Sequence, residues 1–336
     1  MTSRELSPSR ALASWFVGSA VFGAAAWTVG ALLRRPSGGD SLLDARRLIA
    51  LGPLVVVPLG LRLWAAATNP AGPSRTTQTI AIAQPVASLC AWASLSVPVS
   101  RSAGALALVW LAATAAIGAN ALWQLRAWRT LPLHVLCMHV GPTFLPVGAA
   151  WLFAAQWGIA PMGFSPAIVL LTAAHFHFAA FAMPLLAGMS GNVLVARENG
   201  VTSRAWKWAA WSTLLGPPFV AIGISTTRWL EVATSAYFAT GQLVLGWVLA
   251  IQVARHVRSR VATYGLVACG ATLTVSMLAA LTYAVGHFLR VEWLTIPVMI
   301  ATHGRANVFA VTLLGLLSWN IAMGRGDGRV GATSSR

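Results

Sequence analysis

Acidic side chains are nearly missing from this chain: 7 Asp and Glu stand against 23 Lys and Arg in 336 residues. Charged residues of both signs make up 9%, where a water-soluble domain carries about a quarter. So little charge cannot clothe a surface that faces water. No Asp or Glu falls in the middle of an apolar run, which argues against a proton pump built on intramembrane carboxylates. Cysteine is scarce too. Cys90, Cys137 and Cys269 are an odd, dispersed set inside apolar stretches, neither a disulfide framework nor a zinc cluster, and read as small core residues. There is no Walker-type loop, dinucleotide fingerprint, nucleophile elbow or Asp-rich diphosphate motif. The last of these absences weighs against Mg²⁺-assisted ionisation of a prenyl diphosphate. The reading calls for no cofactor and no metal.

What the chain has instead is hydrocarbon: 57% of its residues are apolar. They fall into runs of spanning length at 11–33, 48–67, 79–99, 104–123, 133–156, 164–189, 206–226, 232–254, 262–287 and 294–323. The fold class is therefore all-α, a polytopic transmembrane helical bundle of about ten spans. Residues 1–336 form a single integral membrane domain, with short cytoplasmic tails at 1–10 and 324–336. The first run is longer than a signal-peptide core and ends in Arg34-Arg35, so it is expected to be retained as a span. The last is longer than a bilayer needs, and is expected to be a tilted helix or a re-entrant piece followed by a span.

Ten spans put both termini on one side. The net charge of +16 is carried mostly by arginines in the tails and even-numbered loops, among them Arg126, Arg129, Arg197, Arg204, Arg255, Arg258 and Arg260. The positive-inside rule then places both termini in the cytoplasm, in the cell membrane. One loop runs against the bias, since Arg34, Arg35, Arg46 and Arg47 all precede the second span. The partner for this charge is the lipid bilayer rather than nucleic acid, because no basic face or recognition module accompanies it. The 16 tryptophans divide in two. Trp123, Trp128, Trp206, Trp208, Trp229, Trp293 and Trp319 fall near span ends, as an interfacial belt requires, while Trp27, Trp92, Trp110 and Trp247 lie deeper.

Polar groups inside spans are costly, so they make the shortlist for function. His139 lies in the fifth span, His175 and His177 in the sixth, and His303, Arg305 and Asn307 in the last. Residues two apart on a regular helix point about 200° away from each other, so His175 and His177 do not converge on one ligand unless the helix is distorted. His134 and Met138 have haem-like i, i+4 spacing, but Met on an apolar helix is usually core. An intramembrane Arg305 implies a counter-charge, a wet cavity or an anionic substrate, and the candidate counter-charges are Asp44, Glu198, Glu231 and Glu292. The set is expected to share one polar cavity, with Arg305 and Asn307 at its rim.

Three stretches carry a resemblance. They are Leu51-Gly52-Pro53-Leu54-Val55-Val56-Val57-Pro58-Leu59-Gly60, the run from His175-Phe176-His177-Phe178 to Pro184-Leu185-Leu186-Ala187-Gly188, and Thr302-His303-Gly304 with Asn307. In these the chain resembles the YndJ-like family of bacterial membrane proteins, from the second span to the tenth. The resemblance implies a membrane-embedded helical fold with a cavity, and His175, His177, His303, Gly304 and Asn307 as recurrent polar positions. It implies no settled activity; some members carry a transporter label.

Two functions compete. The first is a membrane-embedded enzyme that cyclises or isomerises a lipophilic small molecule of isoprenoid or polyketide type by acid–base chemistry. His139, His175, His177 and His303 would move protons, Arg305 and Asn307 would polarise an oxygen, and indole walls would stabilise a cation. The second is a small-molecule transporter, for which Leu51-Gly52-Pro53 and Leu215-Gly216-Pro217 would mark corresponding places in two five-helix halves. A structural or assembly subunit, with no enclosed cavity, is a third. The topology is testable at once. Reporters fused after Gly188 and at the C-terminus should both read cytoplasmic, and a periplasmic signal at either means a miscounted span.

Overall fold

Backbone polar groups in hydrocarbon must be satisfied within the chain, so apolar runs of this length coil into helices. They do so in the computed structural model, which describes residues 8–33, 41–68, 72–197 and 203–324. Ten long helices follow one another: α1 Ser9–Leu33, α2 Ser41–Thr68, α3 Arg75–Ser96, α4 Arg101–Thr130, α5 Leu133–Trp157, α6 Pro166–Arg197, α7 Arg204–Ile224, α8 Arg228–His256, α9 Arg260–Leu289 and α10 Ile296–Gly324. Among the described residues there is no strand, and nine of these helices are both long and apolar enough to cross a membrane. The tenth, α7, has 21 residues, about 31 Å at 1.5 Å each, but Trp206, Lys207, Trp208, Ser212, Pro217 and Pro218 dilute its apolar character. Most of the tails, together with Arg34, Arg35 and Glu198, lie outside the described residues.

The helix starts are written in the sequence. Ser74, Ser100, Ser165, Ser203, Thr227, Ser259 and Thr295 each stand just before a helix, and each side chain accepts an amide of the first turn. Helices α2, α4 and α6 run seven or eight residues beyond the stretches read from the sequence, and the last segment takes one of its two expected forms. Helix α6 continues to Arg197, so a reporter for the loop that follows belongs after that residue rather than after Gly188. The last segment is one unbroken helix with no re-entrant turn, because its surplus length is taken up by π-helical turns at Ile300–Gly304 and Ala306–Leu313.

The chain divides into two compact units. The first holds residues 1–126 and 142–177, the second 127–141 and 178–336, so the division falls after Arg126 in α4, at Gly141-Pro142 in α5 and after His177 in α6. In the first unit α2 is the enclosed element, with 94% of its most apolar stretch buried against 17% for α1. Its proline pair sets the local geometry. A π-helical turn at Gly52–Val56 sends the Val57 amide to the Gly52 carbonyl. The Pro53 carbonyl then has no backbone partner: the amide four residues on is taken, and the one five residues on would be that of Pro58, which has none. Helix α3 supplies the missing donors, Gln84 Nε2 at 3.0 Å and Ser88 Oγ at 2.7 Å. The Gln84 Oε1 in turn accepts from Ser19 Oγ of α1 at 3.1 Å. Pro85 repeats the problem one element on, and the Ala81 carbonyl it strands accepts from Trp15 Nε1 at 2.7 Å.

In the second unit α8 and α9 meet backbone to backbone. A Cβ added at Gly270 would lie 2.3 Å from the Gly246 carbonyl oxygen, a contact that only small residues allow. Two tryptophans assigned to an interfacial belt are core residues here, Trp206 at 1% and Trp319 at 0% exposure. The Trp206 indole donates to the Ala187 carbonyl at 2.9 Å. Nearness to a span end placed them in the belt, but a helix end can still face its neighbours. Trp123, Trp128, Trp229 and Trp293 are exposed as a belt requires.

The α2–α3 junction yields a stability prediction. Gln84→Leu combined with Ser88→Ala leaves the buried Pro53 carbonyl without a donor, a loss of about 1–3 kcal/mol. Thermal unfolding of the purified protein in detergent should show a lowered melting temperature. An unchanged one would mean that the carbonyl does not depend on these two side chains.

Candidate functional site

His177 is fully buried in the first unit, and both of its ring nitrogens are engaged. The Trp110 indole N–H on α4 donates to Nε2 at 2.9 Å, and Nδ1 stands 2.8 Å from the Ala173 carbonyl. An indole N–H can only donate, so Nε2 accepts and the proton sits on Nδ1, from which it is donated to Ala173. The two rings lie nearly parallel, 20° apart with centroids at 5.9 Å. Two glycines make room for the imidazole. A Cβ on Gly148 would come within 2.8 Å of Nδ1, and one on Gly52 within 3.3 Å of the His177 Cβ.

His175 has a different setting. It is exposed, with Nδ1 at 2.7 Å from the Leu171 carbonyl of its own helix. A π-helical turn at Phe176–Ala180 begins directly after it. The helix is therefore distorted where the sequence showed no cause for distortion, yet one imidazole is buried and the other exposed.

In the second unit His303 is the centre of a polar group. Its Nδ1 lies 3.0 Å from Ser276 Oγ and 3.0 Å from the Ser276 carbonyl, on α9. The Asn307 side-chain amide donates to Ser276 Oγ and, at 2.8 Å, to the His303 carbonyl one turn back. Ser276 is buried, while His303 and Asn307 are half-buried. A hydroxyl that shares a hydrogen bond with an imidazole is an arrangement through which a proton can pass. Asn307 holds the hydroxyl in place.

Arg305 is exposed on α10, between the two π-helical segments. Of its proposed counter-charges, Asp44 stands 3.9 Å from Arg47 and Glu231 stands 3.0 Å from His287. His139 is buried in the second unit. Met138 packs into the space left by Gly188, and the His134 Cβ into that left by Gly191. Among the described residues no three His, Cys, Asp or Glu side chains gather as metal ligands would.

The sequence reading missed Ser276 and the pairing of Trp110 with His177. Ser276 stands alone in an apolar stretch of α9, 27 residues before His303, and no spacing ties the two together. Trp110 counted as one deep tryptophan among several. The one signal that bore on it was the pair of glycines on α2 and α5 that leave room for a ring.

The three stretches that carried the family resemblance each overlap a π-helical turn: Gly52–Val56, Phe176–Ala180 and Ile300–Gly304, the last followed by Ala306–Leu313; one more such turn, Val248–Val253, lies outside them. Such turns are rare and collect at functional sites. A comparison with protein-family models matches the chain to the YndJ-like protein family over residues 47–311. The membrane protein YndJ of Bacillus subtilis (strain 168) is 33% identical over 223 residues, which make up 65% of this chain and 38% of that protein. The chain thus spans well under half the length of that relative. No solved structure matches it. With a family model aligned from the second helix to within the tenth, this integral membrane protein belongs to the YndJ-like family.

Proposed function

We propose that this protein is a membrane-embedded acid–base enzyme acting on a lipophilic small molecule, with His303 as its proton-carrying group. The observation that carries the reading is the Ser276–His303–Asn307 group, in which an imidazole, a hydroxyl and a carboxamide meet at hydrogen-bond distance in an apolar helix bundle. Water cannot easily substitute for such a group among hydrocarbon side chains, so its cost is recovered only if it does chemistry or fixes a packing. Ser276 and Asn307 orient the imidazole. Isomerisation or cyclisation of an isoprenoid or polyketide-type chain needs little more than a proton delivered and removed at set points. His177 has no part in the proton transfer, because both of its nitrogens are already bound and fully buried. The protein resides in the cell membrane with both termini in the cytoplasm, a reading supported by the distribution of arginine among the loops.

The test is mass spectrometry of lipophilic extracts incubated with the purified protein in lipid nanodiscs. Wild type should convert a component, and His303→Ala should lower the rate about 10²–10⁴-fold with insertion and melting temperature retained. Asn307→Ala should cost less, since it only positions. An unaltered profile with wild type across the lipophilic intermediates of the host would end the enzyme reading and favour a transporter.

The first unit yields a contrasting expectation. Trp110→Phe removes the donor to buried His177 Nε2 and should destabilise the protein by about 1–3 kcal/mol, seen as a lower melting temperature. Turnover measured well below that temperature should not change. A fall in turnover without a fall in stability would place His177 in the reaction after all.

A further inference from the structure

Gln242 on α8, in the second unit, is 1% exposed, and neither its Nε2 nor its Oε1 meets a hydrogen-bond partner. The other buried glutamines, Gln84 and Gln156, each donate to a backbone carbonyl of a neighbouring helix. An unpaired polar atom in an apolar interior carries the full cost of the water it has lost. The facing helix has a matching fault. Pro217 and Pro218 on α7 remove the amides four and five residues on from the Thr213 carbonyl, so neither an α-helical nor a π-helical bond can reach it.

The packing of α7 on α8 brings these groups to one place. The two helices run antiparallel, with Ser212 against Gly241 and Gly216 against Phe238. In an antiparallel pair of right-handed helices, the residue after each contact residue turns to the same side of the contact. Thr213 and Gln242 are those residues, and both are buried. Their polar groups also converge in height. A helical side chain leans toward the N-terminus of its helix, which carries the Gln242 carboxamide toward the level of Phe238. A helical carbonyl points toward the C-terminus, which carries the Thr213 oxygen toward Gly216, the residue that meets Phe238. Gln84 answers the Pro53 carbonyl directly, whereas Gln242 lies beside a stranded carbonyl and makes no bond to it.

The chemistry of the place selects its ligand. No charged residue occurs at 208–227 or 232–254, so a cation would enter without a counter-charge. Water offers donors to both oxygens and an acceptor to the amide N–H, and a buried water needs about two to four polar partners. The side chain of Cys137 on α5, also fully buried, hydrogen-bonds to that of Thr213 and borders the same place. We propose that Gln242 and the Thr213 carbonyl bind internal water, about one or two molecules, which bridges α8 to the proline break of α7. The site shares no residue with the Ser276–His303–Asn307 group, and the proposal does not depend on the enzymatic reading.

X-ray hydroxyl-radical labelling of the purified protein in lipid nanodiscs, read by mass spectrometry, detects water held against buried side chains. Cys137 should be oxidised in wild type despite its burial. Gln242→Leu should lower that labelling severalfold and leave Cys269 unchanged. An unlabelled Cys137 in wild type would overturn the proposal, as would equal labelling in the variant. Melting temperature gives a second reading, in which the sign decides. Removing a carboxamide that holds water costs stability, so Gln242→Leu should lower the melting temperature by about 2–4 °C. Removing one that is dry and unpaired would raise it, and a raised or unchanged value counts against bound water. A wild-type melting temperature that rises with sodium or potassium over choline would overturn the proposal in favour of a cation. Should the variant fail to fold, the wild-type labelling decides.

Discussion

A proline in a helix strands the carbonyl one turn before it, and in hydrocarbon that carbonyl has no water to turn to. The chain has 17 prolines, and those inside its helices create a demand for donors from elsewhere. The demand is met by side chains crossing between helices: Gln84 and Ser88 serve Pro53, and Trp15 serves Ala81. These bonds tie α1, α2 and α3 together at fixed heights. Gln84, Ser88 and Trp15 are therefore not spare chemistry awaiting a substrate; they answer backbone defects.

That distinction separates the histidines. His177 resembles the proline-driven contacts, an imidazole with every hydrogen-bonding atom engaged and glycines shaped around it. His303 differs, because its imidazole meets a hydroxyl as well as a carbonyl of α9, on a stretch of α10 wound almost wholly as π-helix. A π turn adds a residue to the turn and swings those that follow to a new bearing. Coincidence of such turns with all three family-like stretches suggests what those stretches share: a local backbone geometry as much as a set of side chains.

Much of the architecture was legible beforehand. Hydropathy located every helix, although α2 begins seven residues before the run that marked it, α4 ends seven residues after its run and α6 eight after. The sequence could not reveal where helices would widen. His175 and His177 looked divergent on a regular helix, and Pro184 stood too far away to suggest otherwise, yet the turn between them is π-helical. Nor could it pair residues on separate helices. Ser276 has no partner at helical spacing, and Trp110 is joined to His177 across 67 positions. Trp206 and Trp319 were misplaced for the same reason, because distance from a span end says nothing about which neighbour a face meets.

The burial of α2 bears on how the protein is made. A bundle is inserted in order, so α2 leaves the ribosome before the helices that follow it. Gln84 follows the Pro53 carbonyl by only 31 residues, so the first donor arrives with the next helix. His177, which packs on Gly52, is synthesised 125 positions after it, when three more helices have been threaded. Through that interval Gly52 lacks the imidazole that packs on it in the finished fold, a stage whose duration is set by translation.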